Sequence, residues 1–177
     1  MKIRSLVGVS IVGVFMFAFA PPASADTTGA TPATITITGG ALAITVPDTA
    51  VSLGSIMNSV GGGTINGSLG EVQVTDARSA AAGSGWVASV ISSAFTPAAG
   101  PAIAASAVGY TAGTITKVGT ATYTANNPAD LTGVSPAVTA TGISGDNSAT
   151  WTPMISIDVA GGTLAGDYMA TITHSVV

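Results

Sequence analysis

The chain is 177 residues long, 47% apolar and only 7% charged, with no cysteine and a formal charge of −4. That is enough for one domain with its own core, and the missing cysteines exclude disulfides, a thiolate nucleophile and a lipid-modified N-terminal cysteine. Four basic residues, two of them at the extreme N-terminus, exclude the clustered Lys and Arg that nucleic acid or an anionic lipid surface requires.

Residues 1–25 read as a secretory signal. Lys2 and Arg4 give a charged start, Leu6 to Ala20 is an uncharged apolar run, and Ala23-Ser24-Ala25 supplies the small residues of a cleavage site. The run is shorter than the roughly 20 apolar residues that span a bilayer, so no retained membrane span is expected. Cleavage after Ala25 leaves Arg78 and Lys117 against eight acids, a formal charge of −6. Residues 26–32 read as a flexible leader and 33–177 as the folded domain.

Thr34-Ile35-Thr36-Ile37-Thr38 alternates with period two, as does Ala41-Leu42-Ala43-Ile44-Thr45-Val46. Gly39-Gly40 between them predicts a tight hairpin. Val51 to Ile56 reads as a short strand and Gly61-Gly62-Gly63 as a loop. Thr64–Ser68 and Gly70–Thr75 are strand-like, Ser79–Gly85 is a loop of small residues, and Trp86–Ser92 is a strand. Weaker strands follow at Ile103–Tyr110 and Thr114–Val118, with a possible helical turn between Ala98 and Ala107. Asn126-Asn127-Pro128 is a turn, and Val134–Thr139, Trp151–Val159 and Asp167–Val176 complete the set. About ten short strands without an amphipathic helix predict an all-β, single antiparallel β-sandwich, Ig-like or jelly-roll-like.

Little in this pattern points to catalysis. His174 is the one histidine, no Gly-x-Ser-x-Gly elbow accompanies it, and one His without Cys cannot build a zinc site. Paired carboxylates for glycoside hydrolysis stay open, but the eight acids are thinly spread and stacking aromatics are few. Gly145-Asp146-Asn147-Ser148 is the best calcium candidate, yet it lacks repeated acidic spacing and reads first as a turn capping its own backbone. No cofactor, metal or catalytic residue is therefore expected. Asp76 and Arg78, two apart on a strand, share a face and can pair. Trp86 and Trp151 bring the largest apolar areas of the mature chain and are expected in the core.

Leu69-Gly70-Glu71-Val72-Gln73-Val74-Thr75-Asp76-Ala77-Arg78, followed after a small-residue loop by Gly85-Trp86-Val87-Ala88-Ser89-Val90, resembles the first half of a WxL-type domain. The ending, Trp151-Thr152-Pro153 through Ala165-Gly166-Asp167-Tyr168 to Val176, is similar to secreted actinobacterial relatives of that group. The chain departs from the pattern at Ala88, where the family has Leu, and at Thr173-His174-Ser175, where it has its second Trp-x-Leu. The resemblance marks Asp76, Arg78, Trp86, Trp151 and Tyr168 as family-motif positions, mainly structural. It implies a secreted, non-enzymatic, cell-wall-associated surface protein held without a covalent link, with peptidoglycan or other surface proteins as partners. The alternative from composition is a self-associating surface subunit of a matrix, fibre or adhesin, whose N-terminal leader pairs with another chain's strand edge.

Overall fold

A computed structural model describes residues 30–177; the expected signal peptide and most of the leader lie outside the described residues. The chain divides into two units, 1–36 and 37–177, and every strand belongs to the second. The described residues are all-β apart from one 3-10 turn at Ala105–Ala107, and every ladder is antiparallel.

Three long strands carry the main sheet: β3 (Val72–Ser92), β6 (Ile115–Ala125) and β7 (Ser135–Trp151). β7 lies between the other two, while β1 (Leu42–Thr45) and β10 (Ile172–Val176) both add to the far side of β3. A second sheet places β8 (Met154–Val159) between β2 (Gly63–Ser68) and β5 (Val108–Thr111). β4 (Thr96–Pro97) and β9 (Tyr168–Met169) form a short ribbon.

β3 is not straight. β1 pairs with its residues 73–76 and β10 with 88–92, so the nearest ends are twelve residues, about 40 Å, apart on a straight strand. Yet β1 and β10 come within 8 Å of each other, Cα to Cα. The bend lies where the ladder loses register. From Asp76 to Trp86, β3 advances ten residues while β7, from Asn147 to Ala140, advances seven. Surplus residues in one strand of a pair bend it and let it turn a sheet corner. The expected loop at Ser79–Gly85 is therefore this bulge inside a continuous strand: small side chains there let the backbone buckle without burying anything.

Alternation places one row of each strand in a common core. Val72, Val74, Ala88 and Val90 from β3 meet Ala149 and Trp151 from β7 and Ile155 and Ile157 from β8, all buried. Val108 and Tyr110 of β5 sit opposite Ile157 and Ile155 in register, so the second sheet closes over the first as the other layer of the sandwich.

Two expected elements are corrected. Thr34–Thr38 forms no strand, and Gly39-Gly40 is not a turn: neither glycine has the positive φ such a hairpin needs. Instead the chain runs straight into β1, whose partner is β3, with the Gly40 amide donating to Ala77 O. The glycines serve close approach, since a Cβ on Gly39 would stand 2.5 Å from Arg78 O and one on Gly40 2.9 Å from the Ala77 methyl. Val51–Ile56 is likewise irregular. Gly54 has φ +105°, and the Leu53 backbone crosses β2, so close to Gly67 that a Cβ there would sit 2.5 Å from the Leu53 Cα.

Candidate functional site

The family-motif positions fall in three places. Asp76, Arg78 and Trp86 meet at the β3 corner. Asp76 is fully buried, and its carboxylate accepts from Arg78 Nε at 2.8 Å and from a terminal guanidinium nitrogen at 2.9 Å. That same nitrogen donates to Gly85 O at 3.2 Å, so one side chain ties together the two ends of the bulge. The Arg78 guanidinium holds the Asp76 carboxyl below the usual carboxylate range, against the opposing effect of burial.

Trp86 is also buried, and its indole N–H donates to Asn147 Oδ1 at 3.1 Å. The Tyr123 hydroxyl donates to the same oxygen at 3.1 Å, and its ring lies 5.7 Å from that of Trp86. Burial, and then the Asp76 charge, push the Tyr123 phenol upward. Asn147 stands opposite Asp76 in register. The expected turn at Gly145–Ser148 is instead part of β7, and Asp146 does not cap its own backbone: its carboxylate accepts from the Ser79 amide at 3.0 Å and hydroxyl at 3.1 Å. Among the described residues no three His, Cys, Asp or Glu side chains gather into a metal-holding group.

Trp151 lies elsewhere, in the seam between the sheets. Its indole N–H donates to the Tyr110 hydroxyl at 2.7 Å, joining β7 to β5. Tyr110 Oη is also 3.3 Å from His174 Nε2 on β10. The hydroxyl accepts from Trp151 and has both a hydrogen and a lone pair left, so the direction of its contact with His174 Nε2 is set by the imidazole tautomer. Burial lowers the His174 pKa to about 4 and raises that of Tyr110 to about 12. Among the described residues the one side-chain hydrogen-bond contact of His174 is the Tyr110 hydroxyl, and no carboxylate bonds to its ring.

Tyr168 belongs to the third place, a groove of about 760 Å³ that also reaches His174. The irregular segment 46–59 forms one wall and 160–172 the other, where the Tyr168 hydroxyl donates to Leu164 O at 3.0 Å. The floor comes from both sheets, including Ile65 and Ile157 of the second and Val72 and Ile172 of the first. Apolar side chains stand open at the mouth: Leu164 is 53% exposed, Met169 76% and Met57 89%. Asp48 and Asp167 are exposed among its lining residues. This size lies within the range of binding pockets, and the lining mixes aliphatic groups with polar ones such as Asp48, Ser52, Asn58, Thr163 and Thr171, so it offers apolar contact and hydrogen bonding together.

Compared with family models, with curated proteins and with solved structures, the chain matches none. Among the described residues no helix is long and apolar enough to cross a membrane. No sequence signal marks Tyr123, Tyr110 or the groove, and Asn147, which reads in sequence as part of a turn, instead accepts from Trp86 and Tyr123.

Proposed function

We propose that this chain is an exported, non-enzymatic protein of the bacterial cell surface, attached to the wall non-covalently, and that the groove is its working face. The observation that carries the reading is the groove itself, an open cleft between the two sheets with aliphatic side chains left to solvent at its mouth. Exposed apolar groups gathered round a cleft mark a contact surface. The apolar side chains at the mouth suit a segment of another surface protein, and the polar groups of the lining, Asp48, Asn58 and Thr171 among them, can hydrogen-bond its backbone. The N-terminal signal pattern and the resemblance of Leu69–Arg78 and Gly85–Val90 to WxL-type domains support the cell-surface address.

Sedimentation of the exported protein with bacterial walls tests this. It is expected to pellet with intact walls, to be released by a chaotropic salt without cleavage of any bond, and to bind less to walls stripped of protein. Replacing Leu164 and Met169 by Asp should abolish pelleting while leaving the unfolding midpoint unchanged. Protein that stays in the supernatant with both wall preparations overturns the proposal.

A further inference from the structure

Thr34–Thr38 has the sequence of a strand and, among the described residues, pairs with none. Its residues alternate Thr and Ile, and all are exposed, Ile35 at 85% and Ile37 at 82%. Thr34–Thr36 belong to the first unit of the chain and Ile37–Thr38 to the second. Its own β3 offers no continuation, because pairing with β1 stops at Gly40–Ala77, where the corner begins.

β6 presents the complementary defect. Among the described residues it is the last strand of the main sheet and pairs only with β7. Among the described residues no backbone hydrogen bond outside that ladder reaches it. The register of its ladder shifts between Val118 and Thr122 and is regular over Thr122–Ala125, and burial alternates across the second half as in the 34–38 segment: Ala121 and Tyr123 are half-buried, and Thr120, Thr122 and Thr124 are exposed.

We infer that Thr34–Thr38 of one copy adds as a strand to the outer edge of β6 of a second copy. Ile35 and Ile37 then extend the half-buried row of Ala121 and Tyr123, and the threonines continue the exposed row. Five residues make a strand of ordinary length, and edge addition satisfies backbone groups that water alone now satisfies. Each copy has one donor segment and one acceptor edge at different places, so the contact is heterologous and propagates head to tail unless it closes into a ring. Lys117 and the bulge beside it block the first half of the edge, which limits addition to the second half. The inference concerns copies of this chain alone and does not rest on wall attachment.

The absence of cysteine gives a clean test with the exported protein. Thr36→Cys and Thr122→Cys are made in separate proteins, mixed, and treated with a short thiol-to-thiol cross-linker. The expected product is a heterodimer carrying one of each, and the doubly substituted protein should give a ladder of multimers. I35K together with I37K should remove both the ladder and any concentration-dependent increase in sedimentation rate. These two side chains are exposed, so the unfolding midpoint serves as the folding control. Heterodimer lost with the lysines supports the inference. No Thr36–Thr122 cross-link, or association that survives the lysines, overturns it.

Discussion

Removing the Trp86 side chain separates a structural role from a binding one. The indole is 2% exposed, donates to Asn147 and packs on Tyr123. Truncation of a buried Trp costs roughly 3–5 kcal/mol, a large part of the ~5–15 kcal/mol that holds a domain together. Asn147 Oδ1 keeps the Tyr123 hydroxyl as a donor, so no acceptor is orphaned and the loss is one of volume. Trp86→Ala should therefore lie near 4 kcal/mol. With a urea slope of about 2 kcal/mol per M, the midpoint falls by about 2 M. Trp86→Phe retains most of the ring and loses one hydrogen bond, for about 1–2 kcal/mol. Trp151, the other tryptophan, remains as the fluorescent reporter of unfolding. Any binding to walls should fall only in proportion to the unfolded fraction. Trp86→Ala within about 0.5 kcal/mol of the parent, with wall binding lost, would refute the reasoning.

His174 should make stability depend on pH. Its pKa falls from 6.5 unfolded to about 4 folded, so between those values the unfolded chain binds the extra proton. Stability is then complete above pH 6.5 and declines towards pH 4, by roughly 3 kcal/mol at about 1.4 kcal/mol per unit. Urea melts of His174→Gln should lack that slope. Asp76 acts in a lower window: its folded pKa is depressed, so its contribution is present above about pH 4 and is lost as pH falls through the folded value. Asp76→Asn should flatten the acid limb there and cost about 1–3 kcal/mol at neutral pH, read by the same melts. Gly39→Val places a Cβ against Arg78 O and should lower the midpoint, whereas Gly61→Ala, with nothing within 4 Å, should be neutral. Tyr110→Phe removes the partner of both Trp151 and His174 and should cost about 1–3 kcal/mol in thermal melts.

Alternation and punctuation carried the class of this fold but not its partners. Residues 70–75 read as a strand from the alternation of Glu71-Val72-Gln73-Val74, and 86–92 as one with apolar or small residues on both faces; both lie in β3, which begins at Val72. The same periodicity at 34–38 and 41–46 suggests two halves of one hairpin, which they are not. Period two reports that a segment has two faces; which strand lies beside it is settled by distant chain, here β3 for β1 and none among the described residues for 34–38. Asp76 and Arg78 were legible as a pair because residues two apart on a strand share a face; that Trp86 joins them depends on the bulge, which reads in sequence as a loop of small residues. Asn147 and Tyr123 reach the same cluster only through the register of β7 and β6, and no local signal announces that. The groove was illegible for a similar reason: its walls are irregular segments more than a hundred residues apart.

A corner in a sheet leaves backbone groups without ladder partners, and the polar residues at 76–79 and 146 answer that need. The amide of Arg78 donates to Asp76 Oδ1 at 3.1 Å, and the next amide, of Ser79, donates to Asp146 Oδ1 at 3.0 Å. Two carboxylates thus receive the two consecutive N–H groups that leave the ladder, and the guanidinium that neutralises Asp76 also donates to the carbonyl of Gly85 where the bulge ends. Ser79 takes φ +53°, a conformation uncommon without glycine, and its hydroxyl holds Asp146 in return. An apolar pair at 76 and 78 would pack, but it would leave those backbone groups unsatisfied, at about 1–3 kcal/mol each where they are buried. The Val-Thr-Asp-x-Arg stretch is therefore accounted for by the turn β3 must make to let its two ends face each other, and it needs no ligand to explain it. The groove, whose exposed aliphatic side chains have no such internal explanation, is where contact with another molecule is to be sought.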